Sequence, residues 1–321
     1  MTLLQAAKPN QQVFADTLLA LAQADPSILV VTSDSRGSGR LVEFGQQLPK
    51  QIVEVGIAEQ NLVGVAAGLA STGKRVFAVS PACFLTARSL EQVKNDVAYS
   101  NHPVTLVGIS AGVSYGALGT THHSLHDFAV LQAINNIDIL SPADNFETKS
   151  AVEAALTHPR PLYLRLGKKS MPDLHPAGTV FTIGRALALR EGADITFIAT
   201  GETVLPAYQA ALDLAARGVD AGVLSVHTLR PLDADAILAA ARRSQALVTV
   251  EEHSVYGGLG STVASLLMQA GLFRPLKIVG IPDEYTYTGS QLEIFAHYGI
   301  SPAGLAQTAQ ALLATSQRIT V

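Results

Sequence analysis

Two successive alternations of apolar, β-branched segments with alanine-rich helical patterns constrain the fold of this chain more than any other feature. In the first, segments 28–32, 76–79, 104–109, 137–140 and 162–166 are predicted strands, and segments 14–24, 59–71, 85–99 and 145–156 are predicted helices. Apolar strands separated by helices pair in parallel, because each crossover helix covers a face of the sheet. The pattern therefore predicts a doubly wound α/β sheet.

The second alternation begins after a break at residues 168–178, which contains Pro172, Pro176 and Gly178. Predicted strands at 195–199, 223–226, 246–250 and 276–279 alternate with predicted helices at 204–217, 234–243, 260–270 and 302–316. We interpret the chain as α/β with two doubly wound domains, residues 1–172 and 191–321, joined by a linker at 173–190. Ligands of such sheets bind beyond the carboxyl ends of the strands.

Composition narrows the class of protein. The formal net charge is -4 and 15% of residues are charged, which gives no basic surplus for a nucleic-acid partner. No signal peptide is recognised, and no apolar run approaches the ~20 residues of a membrane span, so we expect a cytoplasmic protein. A 48% hydrophobic content predicts apolar surface that another subunit covers. The lone cysteine, Cys83, excludes a disulfide framework.

Two segments place chemically useful side chains at the starts of predicted helices. Residues 54–61 introduce the helix that begins at Glu59, where an acidic residue can simply complement the helix dipole. Residues 80–85 form a strand-to-helix turn that presents Phe84, which can equally be an ordinary core aromatic.

Two further segments follow predicted strands. The polar loop at 119–127 contains His122 and His126 at i, i+4 spacing, but no third ligand is evident, so no metal site is predicted in this chain. Arg165 ends the apolar segment 162–166, where it can pair with a carboxylate or bind an anionic substrate group.

Five motifs stand in the order found in the transketolase superfamily. They are 56–61 (Gly-Ile-Ala-Glu-Gln-Asn), 121–123 (Thr-His-His), 164–167 (Leu-Arg-Leu-Gly), 250–253 with 257–260, and 280–284. Over nearly its whole length the chain resembles the pyrimidine-binding and C-terminal domains shared by transketolases and deoxyxylulose-phosphate synthases. We identify it as a member of that superfamily by this resemblance.

The resemblance also implies that the diphosphate-binding half of the active site is absent from this chain. Family members hold the diphosphate of thiamine diphosphate and its Mg²⁺ or Ca²⁺ with a Gly-Asp-Gly motif, and this tripeptide does not occur in the chain. The chain thus looks like the small subunit of a two-gene transketolase whose large subunit holds the diphosphate and metal. A heterotetramer is expected, with self-association through a family-type dimer to which Glu251, Glu252 and His253 contribute.

The resemblance implies roles for individual residues. A glutamate at the position of Glu59 hydrogen-bonds N1′ of the cofactor's aminopyrimidine ring and activates the cofactor, while Phe84 stacks on the ring and Ile57 belongs to the same cofactor-binding set. His122 corresponds to a histidine that faces the sugar and assists catalysis. Arg165 corresponds to a residue that binds the substrate phosphate, and Ser38 assists it.

The chain departs from the family pattern at several of these positions. Gln11 stands where a second phosphate-binding arginine is usual, and Ser110 and Leu118 stand where a histidine and an aspartate contact the sugar. Ala87 and Leu90 replace further aromatic residues. Since polar sites discriminate strongly through such contacts, we expect ketol transfer with a sugar other than the common pentose phosphates.

Several functions stay open at this point. The first is transfer of a two-carbon ketol unit from a ketose, expected to be phosphorylated, to an aldose. The alternatives are the β subunit of a 2-oxoacid dehydrogenase E1 component and a deoxyxylulose-phosphate-synthase-like enzyme. A non-catalytic scaffold is disfavoured, because a decayed site would not keep Glu59, Phe84, His122 and Arg165 together.

Overall fold

The structure, a computed structural model, describes residues 8–319, with the backbone alone for 316–319. Residues 1–7 and 320–321 of the two predicted domains lie outside the described residues. The strands are β1 Lys8–Pro9, β2 Ile28–Thr32, β3 Ile52–Glu54, β4 Arg75–Pro81, β5 Val104–Ile109, β6 Asp138–Leu140, β7 Leu162–Arg165, β8 Ser170–Met171, β9 Leu187–Arg190, β10 Ile195–Ala199, β11 Ala221–Ser225, β12 Thr228–Arg230, β13 Ala246–Ser254 and β14 Leu276–Ile281.

The helices alternate with these strands. They are α1 Asn10–Ala24, α2 Val42–Gln47, α3 Glu59–Ser71, α4 Ala82–Arg88, α5 Leu90–Gln92, α6 Asp127–Gln132, α7 Asn145–Ala155, α8 Val204–Ala215, α9 Ala234–Arg243, α10 Leu259–Gln269, α11 Gln291–His297 and α12 Pro302–Ile319. A π-helical segment, Val93–Tyr99, follows α5, and Gly116–Leu118 and Gly201–Thr203 form short 3₁₀ turns.

Within the described residues, the first sheet has seven strands in the order β12-β6-β7-β5-β4-β2-β3. All neighbours pair in parallel except β12, which is antiparallel to β6. Helices cover both faces: Leu62 and Val63 of α3 pack in one core cluster, and Phe14 of α1 packs in another, 6.3 Å from Phe77 of β4 between ring centroids. Burial on both faces explains the continuous apolar runs in the sequence.

The second sheet has five strands over residues 8–319, in the order β14-β13-β10-β11-β9. Phe197 of β10 and Val248 of β13 pack with Leu214 of α8 and Leu305 of α12 in its core. The predicted doubly wound α/β class is confirmed in both halves. No helix of the part that the structure describes combines the length and apolar character needed to cross a lipid bilayer.

The two halves exchange elements across the predicted domain boundary. Strand β9 lies within the predicted linker at 173–190 but pairs antiparallel with β11 of the second sheet. Strand β12, although late in the sequence, completes the first sheet beside β6. The structured second half therefore begins earlier than residue 191, and the two halves are not separable at a single position.

The predicted helix at 85–99 is divided into α4, α5 and the π-helical segment. The hydroxyl groups of Thr86 and Ser89 donate to the carbonyl oxygens of Ala82 and Leu85, four residues earlier. Such side-chain bonds compete with the helical backbone bonds and often bend a helix. Helix α4 consequently ends at Arg88, which lies beside the start of α3.

Candidate active site

The site lies at the carboxyl edge of the first sheet. Strand β3 leads to Glu59 at the start of α3, β4 leads to Phe84 in α4, and β5 leads to the loop that carries His122. Because β2, β3, β4 and β5 are parallel neighbours in one sheet, their carboxyl ends share an edge. Residues distant in the sequence are thereby brought together.

Glu59 is the buried acid of this site. Its side chain is 5% exposed, and its carboxylate lies at the N-terminus of α3, where the helix dipole favours a negative charge. Nη1 of Arg88 donates to both of its oxygens, at 3.0 and 3.1 Å. The Arg88 side chain is 49% exposed, so the ion pair joins the interior to the surface.

Phe84 forms an aromatic platform next to this ion pair. Cζ of Arg88 lies 4.3 Å from the centroid of the Phe84 ring, in a cation–π contact. The imidazole of His122 approaches the same ring at 5.3 Å between centroids, with an interplanar angle of 71°. Glu59, Phe84 and His122 are thus linked through Arg88 and ring contacts into one group.

His122 is held between two rings. The ring of Tyr115 lies 5.4 Å from the imidazole between centroids, and Nδ1 lies 2.9 Å from the hydroxyl oxygen of Thr121. These contacts fix the plane of the imidazole. His126, its partner in the motif at 119–127, instead contacts the hydroxyl of Thr86 at 3.1 Å.

Ile57 lies on the open side of the site. Its side chain is 74% exposed, and a surface cleft of about 560 Å³ is lined by residues 57–61 together with Arg88. Gln60 and Asn61 are also exposed there. A buried carboxylate therefore opens onto a surface that contains an exposed isoleucine, which is the arrangement expected where a partner closes a site.

A second group of residues extends from His122 towards Lys168. Nζ of Lys168 lies 4.0 Å from the centroid of the Tyr115 ring. Burial, and then the charge of Arg40, lower the pKa of Lys168 below its usual value of 10.5. Sequence reasoning missed both residues; the signal was the position of Lys168, three residues beyond Arg165 and outside the strand.

Ser38 belongs to this second group. The side-chain amide of Gln11 connects it to Ser110, with its nitrogen 3.1 Å from the carbonyl oxygen of Ser38 and its oxygen 2.7 Å from the backbone nitrogen of Ser110. Burial raises the pKa of Tyr115, and hydrogen bonds to Ser110 and Ser38 oppose that increase. Ser38 therefore lies beside Tyr115, the ring that Lys168 also contacts.

Arg165 is not part of this surface. Its Nε donates to Oδ2 of Asp127 at 2.8 Å, and Nη2 donates to the carbonyl oxygens of Ser124 and Glu252 at 3.2 and 2.8 Å. Its guanidinium also stacks on Phe128, with Cζ 4.5 Å from the ring centroid. Because the side chain is 5% exposed and engaged in this way, its placement does not support the phosphate-binding role that the resemblance implied.

The acidic pair within β13, Glu251 and Glu252, is also internal. Glu251 accepts from the backbone nitrogens of Leu259 and Gly260 at 2.7 and 2.8 Å and so caps α10. His253 stacks on Phe128, and burial lowers its pKa to about 4, which keeps it neutral at pH 7. Glu251, Glu252 and His253 are all buried. Their expected contribution to a pairing surface is therefore not supported by their position.

Glu252 instead holds the start of the active-site loop. Its Oε1 accepts from the backbone nitrogen of Val113 at 2.9 Å and from the side-chain nitrogen of Gln291 at 2.8 Å. The same nitrogen of Gln291 donates to Oε2 of Glu202 at 2.8 Å. Burial first, and then the charge of Glu202, raise the pKa of Glu252 to about 8. Glu252, held by Gln291, thus connects the second half to a loop of the first.

A cluster of two acidic residues and a histidine also connects the two halves of the chain. Asp144, Glu147 and His175 have potential metal ligands within 4.8 Å of one another. Nε2 of His175 lies 2.8 Å from Oε1 of Glu147, which also accepts from the hydroxyl of Ser225 at 2.8 Å. Oδ2 of Asp144 accepts from the backbone nitrogen of Leu174 at 2.6 Å. Hydrogen bonds within the protein therefore account for the grouping of these three side chains.

Comparison with known families identifies two successive domains. Residues 7–173 match the family described as transketolase, pyrimidine binding domain, and residues 184–305 match transketolase, C-terminal domain. An apulose-4-phosphate transketolase subunit of Phocaeicola vulgatus is 48% identical over 92% of this chain and 95% of its own length. A 6-deoxy-6-sulfo-D-fructose transketolase subunit of a Clostridium species is 36% identical over 93% of this chain and 92% of its own length.

Solved structures agree with this comparison. A chain described as a split gene transketolase, inactive beta4 tetramer, has a TM-score of 0.86 and 32% identity over 96% of this chain and 99% of that one. The transketolase of Campylobacter jejuni has a TM-score of 0.82 and 18% identity, and this chain covers 47% of it. The second likeness supports the fold alone.

Proposed function

This chain belongs to the transketolase family, and on that basis we propose that it is the small subunit of a two-subunit enzyme that uses thiamine diphosphate. The enzyme transfers a two-carbon ketol unit from a ketose phosphate to an aldose. The observation that carries the proposal is the grouping of buried Glu59 with Phe84 and His122 at the carboxyl edge of a parallel sheet.

The chemistry of these side chains fits the cofactor's aminopyrimidine ring. Such a ring is flat, and it needs a carboxyl group that shares a proton at its edge and an apolar face beneath it. The guanidinium of Arg88, which is also flat, contacts the same two groups, Glu59 at its edge and Phe84 beneath it. When bound, thiamine diphosphate supplies the nucleophilic carbon and the electron sink for cleavage of the ketose carbon–carbon bond.

The residues of this chain orient the cofactor and the substrate, and they supply protons to them. Glu59 holds a proton at the ring nitrogen that it faces, in a site sheltered from water. Phe84 and the exposed side chain of Ile57 fix the plane of the ring. His122, placed one ring away from Phe84, donates a hydrogen bond to a substrate oxygen as negative charge develops there.

The other half of the site comes from a large subunit. The chain lacks the Gly-Asp-Gly motif, and the cleft at residues 57–61 is open to solvent. We therefore assign the diphosphate and its Mg²⁺ or Ca²⁺ to the partner. Self-association of this subunit, giving a heterotetramer with two copies of each chain, draws support from the related structure described as a beta4 tetramer.

The sugar donor is proposed to end in an anionic group. Lys168 contacts the ring of Tyr115, which packs against His122 and hydrogen-bonds to Ser38, and the charge of Arg40 acts on Lys168. The relatives at 48% and 36% identity are named for apulose 4-phosphate and for a sulfonated fructose. Apulose 4-phosphate is therefore our first choice of donor, with xylulose 5-phosphate as the pentose comparison.

Reconstitution with the large subunit, Mg²⁺ and thiamine diphosphate tests the proposal. The wild-type pair is expected to release a two-carbon unit from the donor to an aldose, and Glu59→Gln and Glu59→Ala are expected to lower kcat by about 10²-fold or more. Full activity of Glu59→Ala would contradict the proposal.

The same preparation separates the alternatives. Condensation of pyruvate with an aldose phosphate would indicate a deoxyxylulose-phosphate-synthase-like enzyme, which is the reaction named for relatives that are 36% identical and about twice the length of this chain. Acyl transfer to a lipoyl domain would indicate a 2-oxoacid dehydrogenase component. Absence of cofactor binding by the reconstituted pair would leave only a scaffold.

A further inference from the structure

Arg88 makes both of the contacts that a cofactor ring would need in this site. Its Nη1 is shared between the two oxygens of Glu59, and its Cζ lies 4.3 Å above the ring of Phe84. We propose that Arg88 is a displaceable competitor of the aminopyrimidine ring: it holds Glu59 and Phe84 until the ring binds and must leave for the ring to stack. This inference rests on the proposed function.

The competition follows from the thickness of the two groups. Stacked aromatic rings have centroids at least about 4.5 Å apart, so a ring on Phe84 occupies the layer in which the guanidinium of Arg88 lies. The side of Phe84 towards His122 is occupied by the imidazole at 5.3 Å. The ring and the guanidinium therefore cannot share Phe84 and Glu59 in the geometry observed.

Arg88 rather than Glu59 is the member of the pair that can move. Its side chain is 49% exposed, whereas that of Glu59 is 5% exposed. Arg88 is also the last residue of α4, and Ser89 already departs from helical geometry, with φ −109° and ψ 21°. The long side chain already lines the open cleft at residues 57–61 and has room to turn within it.

The energetics of a buried carboxylate explain why Arg88 and the cofactor ring would replace one another at Glu59. A carboxylate shielded from water is costly when it is left without a partner. Arg88 supplies that partner, and the ring nitrogen of the cofactor, which shares a proton with Glu59, replaces it. The cost of separating a half-exposed ion pair is small, so we expect Arg88 to weaken cofactor binding modestly and to prevent binding of weaker flat ligands.

The dissociation constant of thiamine diphosphate, measured by titration calorimetry on the reconstituted pair, tests this role. Arg88→Met keeps an apolar side chain of similar length but removes the charge, and is expected to tighten binding by about two- to fivefold, the change that corresponds to a weak ion pair. Lys94→Met, at another exposed cation of the neighbouring helical segment, should leave the constant unchanged.

A double-mutant cycle distinguishes direct competition from a general effect on the site. In a Glu59→Gln background the ion pair is absent and only the contact with Phe84 remains, so Arg88→Met should tighten binding less than it does in the wild-type background. The double variant also avoids an unpaired buried carboxylate, so its thermal unfolding temperature as the isolated chain should exceed that of Arg88→Met alone. Arg88→Lys, which keeps the charge without the planar group, should bind with intermediate affinity.

The outcomes separate this inference from the proposed function. Cofactor binding by the wild-type pair together with unchanged or weaker binding by Arg88→Met would overturn the competitor role alone, and weaker binding would make Arg88 a contact of the bound cofactor. Failure of the wild-type pair to bind thiamine diphosphate would overturn both.

Discussion

Arg165 and Asp127 form an ion pair that is closed to solvent, with Nε of the arginine 2.8 Å from Oδ2 of the aspartate and 5% and 0% of the side chains exposed. Burial favours the neutral acid, but the charges of Arg165 and His253 outweigh it and lower the pKa of Asp127 overall. The pair joins β7 to α6, and Nη2 of Arg165 continues to a carbonyl oxygen of the second half. It is therefore a structural link between the halves.

Removal of Arg165 is expected to destabilise the chain. Arg165→Leu removes the buried positive charge that pairs with Asp127, which keeps only the hydroxyl of Tyr163 as a donor, and loss of one member of a buried pair costs about 3–5 kcal/mol. Urea unfolding of the isolated chain measures this change. A phosphate-binding role predicts the opposite pattern, a normal unfolding free energy with a raised KM.

Substitution of Lys168 is expected to affect the substrate and not the fold. Lys168→Met removes a cation that is available at the mouth of the site, and loss of one charge-assisted contact should raise the KM for a phosphorylated ketose about tenfold or more. The unphosphorylated ketose should show no such change. Lys50→Met, at an exposed lysine remote in sequence, is the control. An equal effect on both donors would exclude an anion-binding role for Lys168.

The stability of the protein should fall between mildly acidic and mildly alkaline pH. The folded-state pKa of Glu252 is about 8, above the ordinary value of 4.5, so folding retains a proton that the unfolded chain releases. This contribution is fully present below about pH 4.5 and is lost as pH rises through about 8, with a slope of at most about 1.4 kcal/mol per pH unit.

Glu252→Gln should flatten part of that decline, because an amide does not titrate. The amide oxygen can still accept from Val113 and Gln291, so these hydrogen bonds are kept. Chemical unfolding at pH 5 to 9 measures the slope. Glu202 and Glu251, whose pKa values burial also raises, leave a residual slope in the variant. Glu91→Gln, at an exposed acid, is the control. A slope equal to that of the wild type would show that Glu252 is ionised throughout.

The group formed by Asp144, Glu147 and His175 should respond to protons. Burial acts to lower the pKa of His175, but its hydrogen bond to Glu147 and the charges of Glu147 and Asp144 raise it overall. The stability that His175 contributes is thus present below pH 6.5 and lost as pH rises through the folded-state pKa. His175→Asn should cost more unfolding free energy at pH 6 than at pH 9.

Added Zn²⁺ provides a contrasting test of the same group. Because protein hydrogen bonds engage these three side chains, Zn²⁺ at micromolar concentration should not raise the thermal unfolding temperature. A rise that His175→Asn abolishes would instead establish a metal site.

The sequence predicted the sheet-forming segments well and the small elements poorly. Strands β2, β5 and β10 and helices α3 and α9 were predicted with the bounds observed, because buried strands and amphipathic helices produce long periodic signals. Strands β9 and β12 were missed. Short edge strands of three or four residues carry no such signal, and their pairing depends on where distant chain segments meet.

The family and the small-subunit architecture predicted from the motifs are confirmed. The roles of Glu59, Phe84, Ile57, His122 and Ser38 stay predictions. The role of Arg165 also stays a prediction; its ion pair with Asp127 could not be foreseen, because a position at the end of β7 does not reveal which layer the side chain enters. Arg88 could not be found from sequence, since its contact with Glu59 depends on the early end of α4 at a serine.

The placement of β12 has a practical consequence for how this molecule can be taken apart. Family boundaries suggest cutting the chain between residues 173 and 184. A fragment cut there would expose the hydrogen-bonding edge of β6 that Thr228–Arg230 now covers, and exposed strand edges invite aggregation. Chimeras with other family members should therefore exchange β12 together with the first half. Otherwise β12 from one parent will have to pair with β6 from the other in the seven-stranded sheet.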